Sequence, residues 1–148
     1  MFNTIAQLCA RELIFVLAFF AMTSVVVFSP QARAAAFLWS VLTVLSVWGL
    51  TLGLEYVIGR KRPYVAHGSK PLGKFWTPTS SFPSAHSALA GCLASIIAFH
   101  HVILGGFAIF VAFLVALARV YVRVHYFSDV VVGVFIGFLW GFFWYHGG

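Results

Sequence analysis

Long runs without a charged side chain alternate with short polar clusters along this chain of 148 residues. Apolar runs of this length are typical of membrane-spanning helices, because lipid cannot hydrogen-bond to an open backbone. The third run is short for a bilayer, and we expect its helix to begin near Pro83 and to continue past His100 and His101. The pattern predicts about five spans: Leu13 to Phe28, Ala34 to Leu54, Ser87 to Phe99, Val102 to Ala118 and Val130 to Tyr145.

The composition points the same way. Hydrophobic residues make up 62% of the chain and charged residues only 8%, whereas soluble domains are nearer half apolar and about a quarter charged. A water-soluble domain and a disordered chain are therefore excluded, and two cysteines, Cys9 and Cys92, are too few for a disulfide scaffold. We predict an all-α, polytopic transmembrane helix bundle that forms a single integral membrane domain over residues 1–148.

Small residues recur at helical spacing in the last predicted span. Gly133, Gly137 and Gly141 lie four residues apart, so they share one face on which a neighbouring helix can approach closely. The same stripe is compatible with a homodimer. Trp39, Trp48 and Trp76 are expected near the membrane interfaces, where amphipathic rings are favoured.

The polar residues gather in three clusters, which are Arg60 to Pro63, Pro83 to His86, and Arg119 to Asp129. With five spans, all three clusters lie at helix ends on the same membrane face. Each one alone has an ordinary explanation: an anchor for lipid head groups, a helix N-cap at Ser84, or a structural His–Asp pair. Together, cations beside a serine and two histidines indicate a site for an anion.

Phosphoryl transfer accounts for this combination of residue types. The reaction needs cations and oriented N–H groups around the phosphoryl oxygens, a nucleophile, and an acid that protonates the leaving oxygen. Asp129 can hold His125 in the tautomer that leaves one ring nitrogen free as the nucleophile, and His86 can supply the proton. Neither paired carboxylates nor a cysteine-rich ligand set is apparent in the sequence, so a metal is not required.

Arg62-Pro63, Pro83-Ser84-x-His86 and Arg119-x5-His125-x3-Asp129 resemble, in order and in spacing, the signature of the type 2 phosphatidic acid phosphatase superfamily. The resemblance covers residues 55–129. It implies hydrolysis of a lipid phosphate monoester or diphosphate through a phosphohistidine, without a metal or another cofactor. It also implies that the phosphoryl oxygens are bound by the side chains of Arg62, Ser84 and Arg119 and by backbone N–H groups near Ala85 and His86.

One position departs from the family pattern. The family usually has a lysine seven residues before the arginine of Arg62-Pro63, and this chain has Glu55 there. We expect Arg60 or Lys61 to replace the missing cation at the phosphate, with Glu55 paired to one of them. The alternative is a catalytically weak member that binds lipid head groups or a protein partner.

The expected partners are the lipid bilayer and a lipid phosphate substrate, with no nucleic acid. Undecaprenyl diphosphate, phosphatidic acid, phosphatidylglycerophosphate and a lipid A phosphate remain open. Eight of the nine lysines and arginines lie on the face with the clusters, which favours a cytoplasmic position for that face. The resemblance implies the reverse, because many members have six spans and this chain is expected to lack the first. We follow the resemblance and expect a bacterial-type cytoplasmic membrane with the site on its periplasmic or extracellular face.

Overall fold

The computed structural model describes residues 2–29, 31, 33–73 and 80–147. This part of the chain contains helices and no strand, and its one isolated β-bridge joins Lys61 to Ser80. The helices are α1 (Phe2–Arg11), α2 (Leu13–Phe28), α3 (Arg33–Ile58), α4 (Pro63–Ala66), α5 (Ala85–His100), α6 (Val102–Tyr121) and α7 (Phe127–Gly147). The predicted all-α bundle is confirmed.

Three stretches are long and apolar enough to cross a membrane: Asn3–Phe28, Ala34–Ile58 and Val102–Tyr121. Two shorter apolar helices, Ala85–His100 and Phe127–Phe143, complete the bundle. The prediction that the third helix continues past His100 and His101 was wrong, because α5 ends at His100. His101 has an extended backbone and accepts a hydrogen bond from the Leu104 N–H at 3.3 Å, so it is the N-cap of α6.

Helix α1 is an element that the apolar pattern did not predict, because Arg11 and Glu12 mark the start of the first charge-free run. It packs against the end of α6, where Ala10 is buried with Ala118 and Val122. Tyr121 also donates a hydrogen bond to the Asn3 side chain at 3.2 Å. The chain before the first predicted span therefore covers part of the polar end of the bundle.

The centre of the bundle is α5, which packs most extensively against α7. A Cβ atom added at Gly133 would lie 2.6 Å from the Ser84 carbonyl oxygen, and one at Gly137 would overlap the Ala88 carbonyl. Glycine is required here because only its backbone can approach another helix so closely. The stripe packs against another helix of the same chain, so it gives no support to a homodimer.

Hydroxyl groups within the spans bond back to their own helix. The side chains of Ser40 and Thr43 donate to carbonyl oxygens four residues earlier, at 2.8 and 2.7 Å. Trp140 of α7 donates to the Ser46 hydroxyl of α3 at 2.8 Å. These bonds satisfy polar atoms that lipid could not.

Candidate active site

The three polar clusters meet at one end of the bundle around a cavity of about 60 Å³. By the space one water needs, this volume holds roughly four to six water-sized groups, about the size of one phosphoryl group. Both histidines of the clusters line it, so the chain segments predicted to converge do so. The lining residues are Trp48, Leu52, Glu55, Arg62, Ala85, His86, Leu89, Arg119 and His125.

His125 has two ring nitrogens in different surroundings. Its Nδ1 lies 2.7 Å from the Ser81 carbonyl oxygen, which can only accept, so Nδ1 carries the proton. Its Nε2 is then unprotonated and lies 3.2 Å from the Arg62 guanidinium and 3.4 Å from that of Arg119. The free lone pair therefore faces two cations that can hold an anion beside it.

Electrostatics keep this imidazole neutral. The pKa of His125 is lowered from 6.5 to about 4, mainly by burial and also by the guanidinium groups of Arg119 and Arg62, although Asp129 and Ser81 oppose this shift. A proton on Nε2 would bring a third positive charge against two guanidiniums in a buried site. His125 is therefore a neutral base at ordinary pH.

Asp129 lies behind His125, but its direct partners are other groups. Its Oδ1 accepts from Arg60 at 2.6 Å, and its Oδ2 accepts from the Tyr126 backbone N–H at 2.9 Å. The distance from Oδ2 to His125 Nδ1 is 3.7 Å, which is too long for a hydrogen bond. The Ser81 carbonyl therefore fixes the tautomer of His125, and the carboxylate of Asp129 supplies a negative charge at a longer distance from the ring.

Arg60 has a structural position, unlike Arg62 two residues later. It donates to Asp129 and to the Ser128 hydroxyl at 2.8 Å, and its guanidinium stacks 4.1 Å from the centre of the Tyr126 ring. Lys61, predicted to bind the phosphate, is exposed and is absent from the cavity lining. Neither Arg60 nor Lys61 lines the cavity, so neither replaces the missing lysine there.

Glu55 faces the cavity instead of pairing with Arg60 or Lys61, so that part of the prediction was wrong. Its side chain is buried, and its carboxyl accepts a hydrogen bond from the Ala85 backbone N–H. The carboxyl also raises the pKa of Arg62, against the larger opposite effect of that guanidinium's burial. A negative group therefore lies among the cations of the cavity.

Ser84 is the N-cap of α5, one of the two interpretations that the sequence left open. Its Oγ accepts from the Ser87 N–H at 3.4 Å and from the Ser87 hydroxyl at 3.0 Å. Its own N–H donates to the Asp129 carbonyl at 3.0 Å, which ties α5 to α7. The cap directs the first N–H groups of α5 toward the cavity, where Ala85 and His86 form part of the wall.

The guanidinium groups of Arg119 and Arg62 are oriented by hydrogen bonds to backbone carbonyls. Arg119 donates from Nη1 to the Ala10 carbonyl at 3.1 Å, while its Nη2 is the atom near His125. Arg62 likewise donates to the Val124 carbonyl at 3.0 Å. Backbone carbonyls orient both guanidiniums without neutralising their charge.

The rest of the wall is apolar. Trp48, Leu52 and Glu55 share one face of α3, so two apolar side chains continue the cavity from the carboxyl toward the middle of the span. Leu89 does the same from α5. Trp48, which was expected near an interface, lines this wall; Trp76 lies outside the described residues.

Sequence reasoning missed two contributors to the site and assigned two others to the wrong place. The Ser81 and Ala10 carbonyls could not be found, because every residue has a carbonyl. Glu55 was noticed, but its placement was not. Nothing in the sequence around Arg60 distinguishes a structural arginine from a phosphate-binding one. Among the described residues, no group of three or more His, Cys, Asp or Glu is arranged to hold a metal ion.

Comparison with known proteins places this geometry among known folds. Residues 34–148 match the PAP2 superfamily. Two similar solved structures each have a TM-score of 0.69 over 97% of this chain. The transmembrane PAP2-type phosphatidylglycerolphosphate phosphatase from Bacillus subtilis is 26% identical, with 73% of its chain covered; Aquifex aeolicus LpxE is 22% identical, with 93% covered. No curated protein sequence matches.

Proposed function

Because this chain belongs to the PAP2 superfamily, we propose that it is an integral membrane lipid phosphatase. It hydrolyses a phosphate monoester or a diphosphate carried by a lipid. The observation that carries the proposal is the position of His125 Nε2, which lies unprotonated within 3.4 Å of two guanidiniums in a cavity the size of one phosphoryl group.

The placement of the two histidines supports a reaction in two steps. Nε2 of His125 attacks phosphorus, the bond from phosphorus to the lipid oxygen breaks, and the protonated form of His86 gives that oxygen its proton. Arg62, Arg119 and the first N–H groups of α5 stabilise the charge on the other oxygens. In the second step His86 takes a proton from water, the water oxygen attacks phosphorus, and the phosphorus–nitrogen bond breaks to release phosphate.

The apolar wall supports a lipid substrate. Trp48, Leu52 and Leu89 extend the cavity along α3 and α5 toward the hydrocarbon layer. A phosphate at the polar end of such a cavity can keep its hydrophobic tail in the bilayer. A soluble phosphate ester would leave these side chains without a partner.

A monoester is the first substrate to test, because the cavity has the volume of a single phosphoryl group. The name of the Bacillus subtilis relative adds phosphatidylglycerophosphate as a specific candidate. Phosphatidic acid, undecaprenyl diphosphate and a lipid A phosphate complete the panel.

The test is phosphate release from this panel in mixed micelles with excess chelator, comparing the wild type with His125→Ala. Release by the wild type alone, unaffected by chelator, is the expected result. Strict dependence on a divalent ion would contradict the mechanism.

The second candidate function, a weak member that binds head groups, is favoured by the carboxyl of Glu55 in the cavity. Equal, negligible release from both proteins would support it.

The active-site end is proposed to face the outside of a bacterial-type cytoplasmic membrane. Arg60, Arg62 and Arg119 all hydrogen-bond within the site, so they have a role other than setting orientation. The test is labelling of Lys61→Cys in intact cells by a membrane-impermeant maleimide, with Cys9→Ser in the background. Labelling only after lysis would place the site inside.

A further inference from the structure

Among the residues that the structure describes, the carboxyl of Glu55 is the one acidic group that lines the cavity. The residue is only 5% exposed, and its Oε2 has no hydrogen-bond partner among the described residues. The carboxyl also accepts from the N–H of Ala85, one of the donors at the start of α5. A buried carboxyl oxygen without a partner is costly, so this atom is placed for a ligand that supplies one.

Every element around Glu55 contributes to the charge that it experiences. Arg62 follows α3, His86 belongs to α5, Arg119 to α6, and His125 lies between α6 and α7. Asp129 of α7 lies further away and is paired with Arg60. The two guanidiniums favour the charged form of Glu55, and they are the same groups that an incoming phosphoryl group requires.

A carboxylate and a doubly charged phosphoryl group cannot share this space at low cost. They would lie within a few ångströms of each other, largely out of water, where like charges repel strongly. A neutral carboxylic acid removes the repulsion and gains an O–H that can donate to a phosphoryl oxygen. Carboxyl groups in apolar sites are known to act as neutral donors in this way.

We infer that Glu55 is a phosphate-binding residue that acts as a neutral carboxylic acid, so that entry of a phosphoryl group into the cavity is coupled to uptake of one proton by Glu55. The proton comes from solvent and returns to it when phosphate leaves. The inference rests on the proposed function only in taking this cavity as the phosphate site. It makes the affinity for phosphate rise as the pH falls.

The test uses inorganic phosphate and the purified full chain in detergent. Calorimetric titrations at pH 8, in two buffers with different ionisation enthalpies, count the protons taken up when phosphate binds. The wild type should take up about one more proton than Glu55→Gln. At that pH, Glu55→Gln should bind phosphate about 10-fold more tightly than the wild type, because it keeps a donor and carries no charge.

Two further variants make the result decisive. Glu55→Met keeps the volume without a donor; it should also lack the extra proton uptake, but it should bind phosphate more weakly than Glu55→Gln. Lys61→Gln, an exposed change, should behave as the wild type. Equal proton uptake by the wild type and Glu55→Gln would overturn the inference, because His86 or phosphate itself would then be the acceptor.

The two hypotheses fail separately. Hydrolysis of a lipid phosphate together with proton uptake that is independent of Glu55 would refute the role of Glu55 alone. Phosphate binding with uptake at Glu55, but without hydrolysis of any lipid phosphate, would refute the phosphatase alone. Hydrolysis without measurable phosphate binding between pH 6 and pH 8 would also overturn the inference, since it requires binding that strengthens in acid.

Discussion

The interface between α5 and α7 and the cavity at the polar end of the same two helices are built in opposite ways. The interface consists of small residues, where an added methyl group at Gly137 would overlap the Ala88 carbonyl. The cavity is built from buried charged side chains that bond to distant segments, such as Arg62 to Val124 and Arg119 to Ala10. Shape determines the first region and charge the second.

The difference shows how this small bundle separates stability from chemistry. In lipid, helices gain little from apolar burial, so close contact along α5 and α7 must provide much of the packing. The cations at the end of the bundle cost energy to bury, and their hydrogen bonds to carbonyls offset part of that cost. We therefore expect substitutions at the interface to reduce stability, and substitutions in the cavity to reduce activity.

Replacement of the nucleophile should give the largest effect and the clearest separation. In His125→Asn, the side-chain N–H can still donate to the Ser81 carbonyl, but no ring nitrogen faces the arginines. We expect phosphate release to fall by about 10³-fold or more, with an unchanged melting temperature in detergent. A variant that keeps a tenth of the wild-type rate would exclude His125 as the nucleophile.

Gly137→Ala should have the reverse effect. Its Cβ meets backbone rather than a movable side chain, so the helices must separate, at a cost of about 3 kcal/mol. Gly106→Ala is the matched control, because a Cβ there meets nothing within 4 Å. Thermal unfolding of both variants measures the difference; equal stability would mean that α5 and α7 can move apart freely.

Arg60→Gln tests the support behind the cavity. It removes a charge-assisted hydrogen bond to Asp129 worth about 1.5–3 kcal/mol, so we expect roughly a 10-fold loss of kcat. Lys61→Gln, the exposed neighbour, should change kcat less than about 2-fold, as is usual for a surface substitution. If both variants lose activity equally, the distinction between the structural and the exposed cation does not hold.

Acid should lower the stability of the folded protein gradually through His125. The pKa of His125 is about 4 in the folded protein and 6.5 when unfolded, so the unfolded chain binds more protons between these values. The contribution of His125 to the free energy of unfolding is therefore fully present above pH 6.5. It is lost as the pH falls toward 4, which lowers the stability by up to about 3 kcal/mol. Melting temperatures across this range should fall more steeply for the wild type than for His125→Asn; parallel curves would contradict the shifted pKa.

Much of the fold was predictable because lipid imposes a simple rule. Charge-free runs had to be helices, and the stripe of Gly133, Gly137 and Gly141 indicated where another helix would pack. The ends of the helices were harder to predict. His101 ends one helix and caps the next through a backbone angle and one hydrogen bond, neither of which hydropathy records.

The site was predictable in its members but less so in their roles. Arg62, His86, Arg119 and His125 were named from the polar clusters and from the resemblance to the family signature, and they line one cavity. Asp129 was expected to hold His125 directly, but the nearest acceptor is the Ser81 carbonyl. Spacing along a helix brings residues four apart onto one face, yet it does not decide which of several nearby acceptors receives a proton.

The amino-acid sequence alone determined that the chain is a helical membrane bundle and which residue types gather at one end of it. Only the tertiary structure decided which of three neighbouring cations enters the cavity, and that the carboxyl of Glu55 enters with it. The physical reason is one of range. Transfer into lipid depends on each segment's own composition, whereas a buried charge depends on groups that other parts of the chain place within a few ångströms of it.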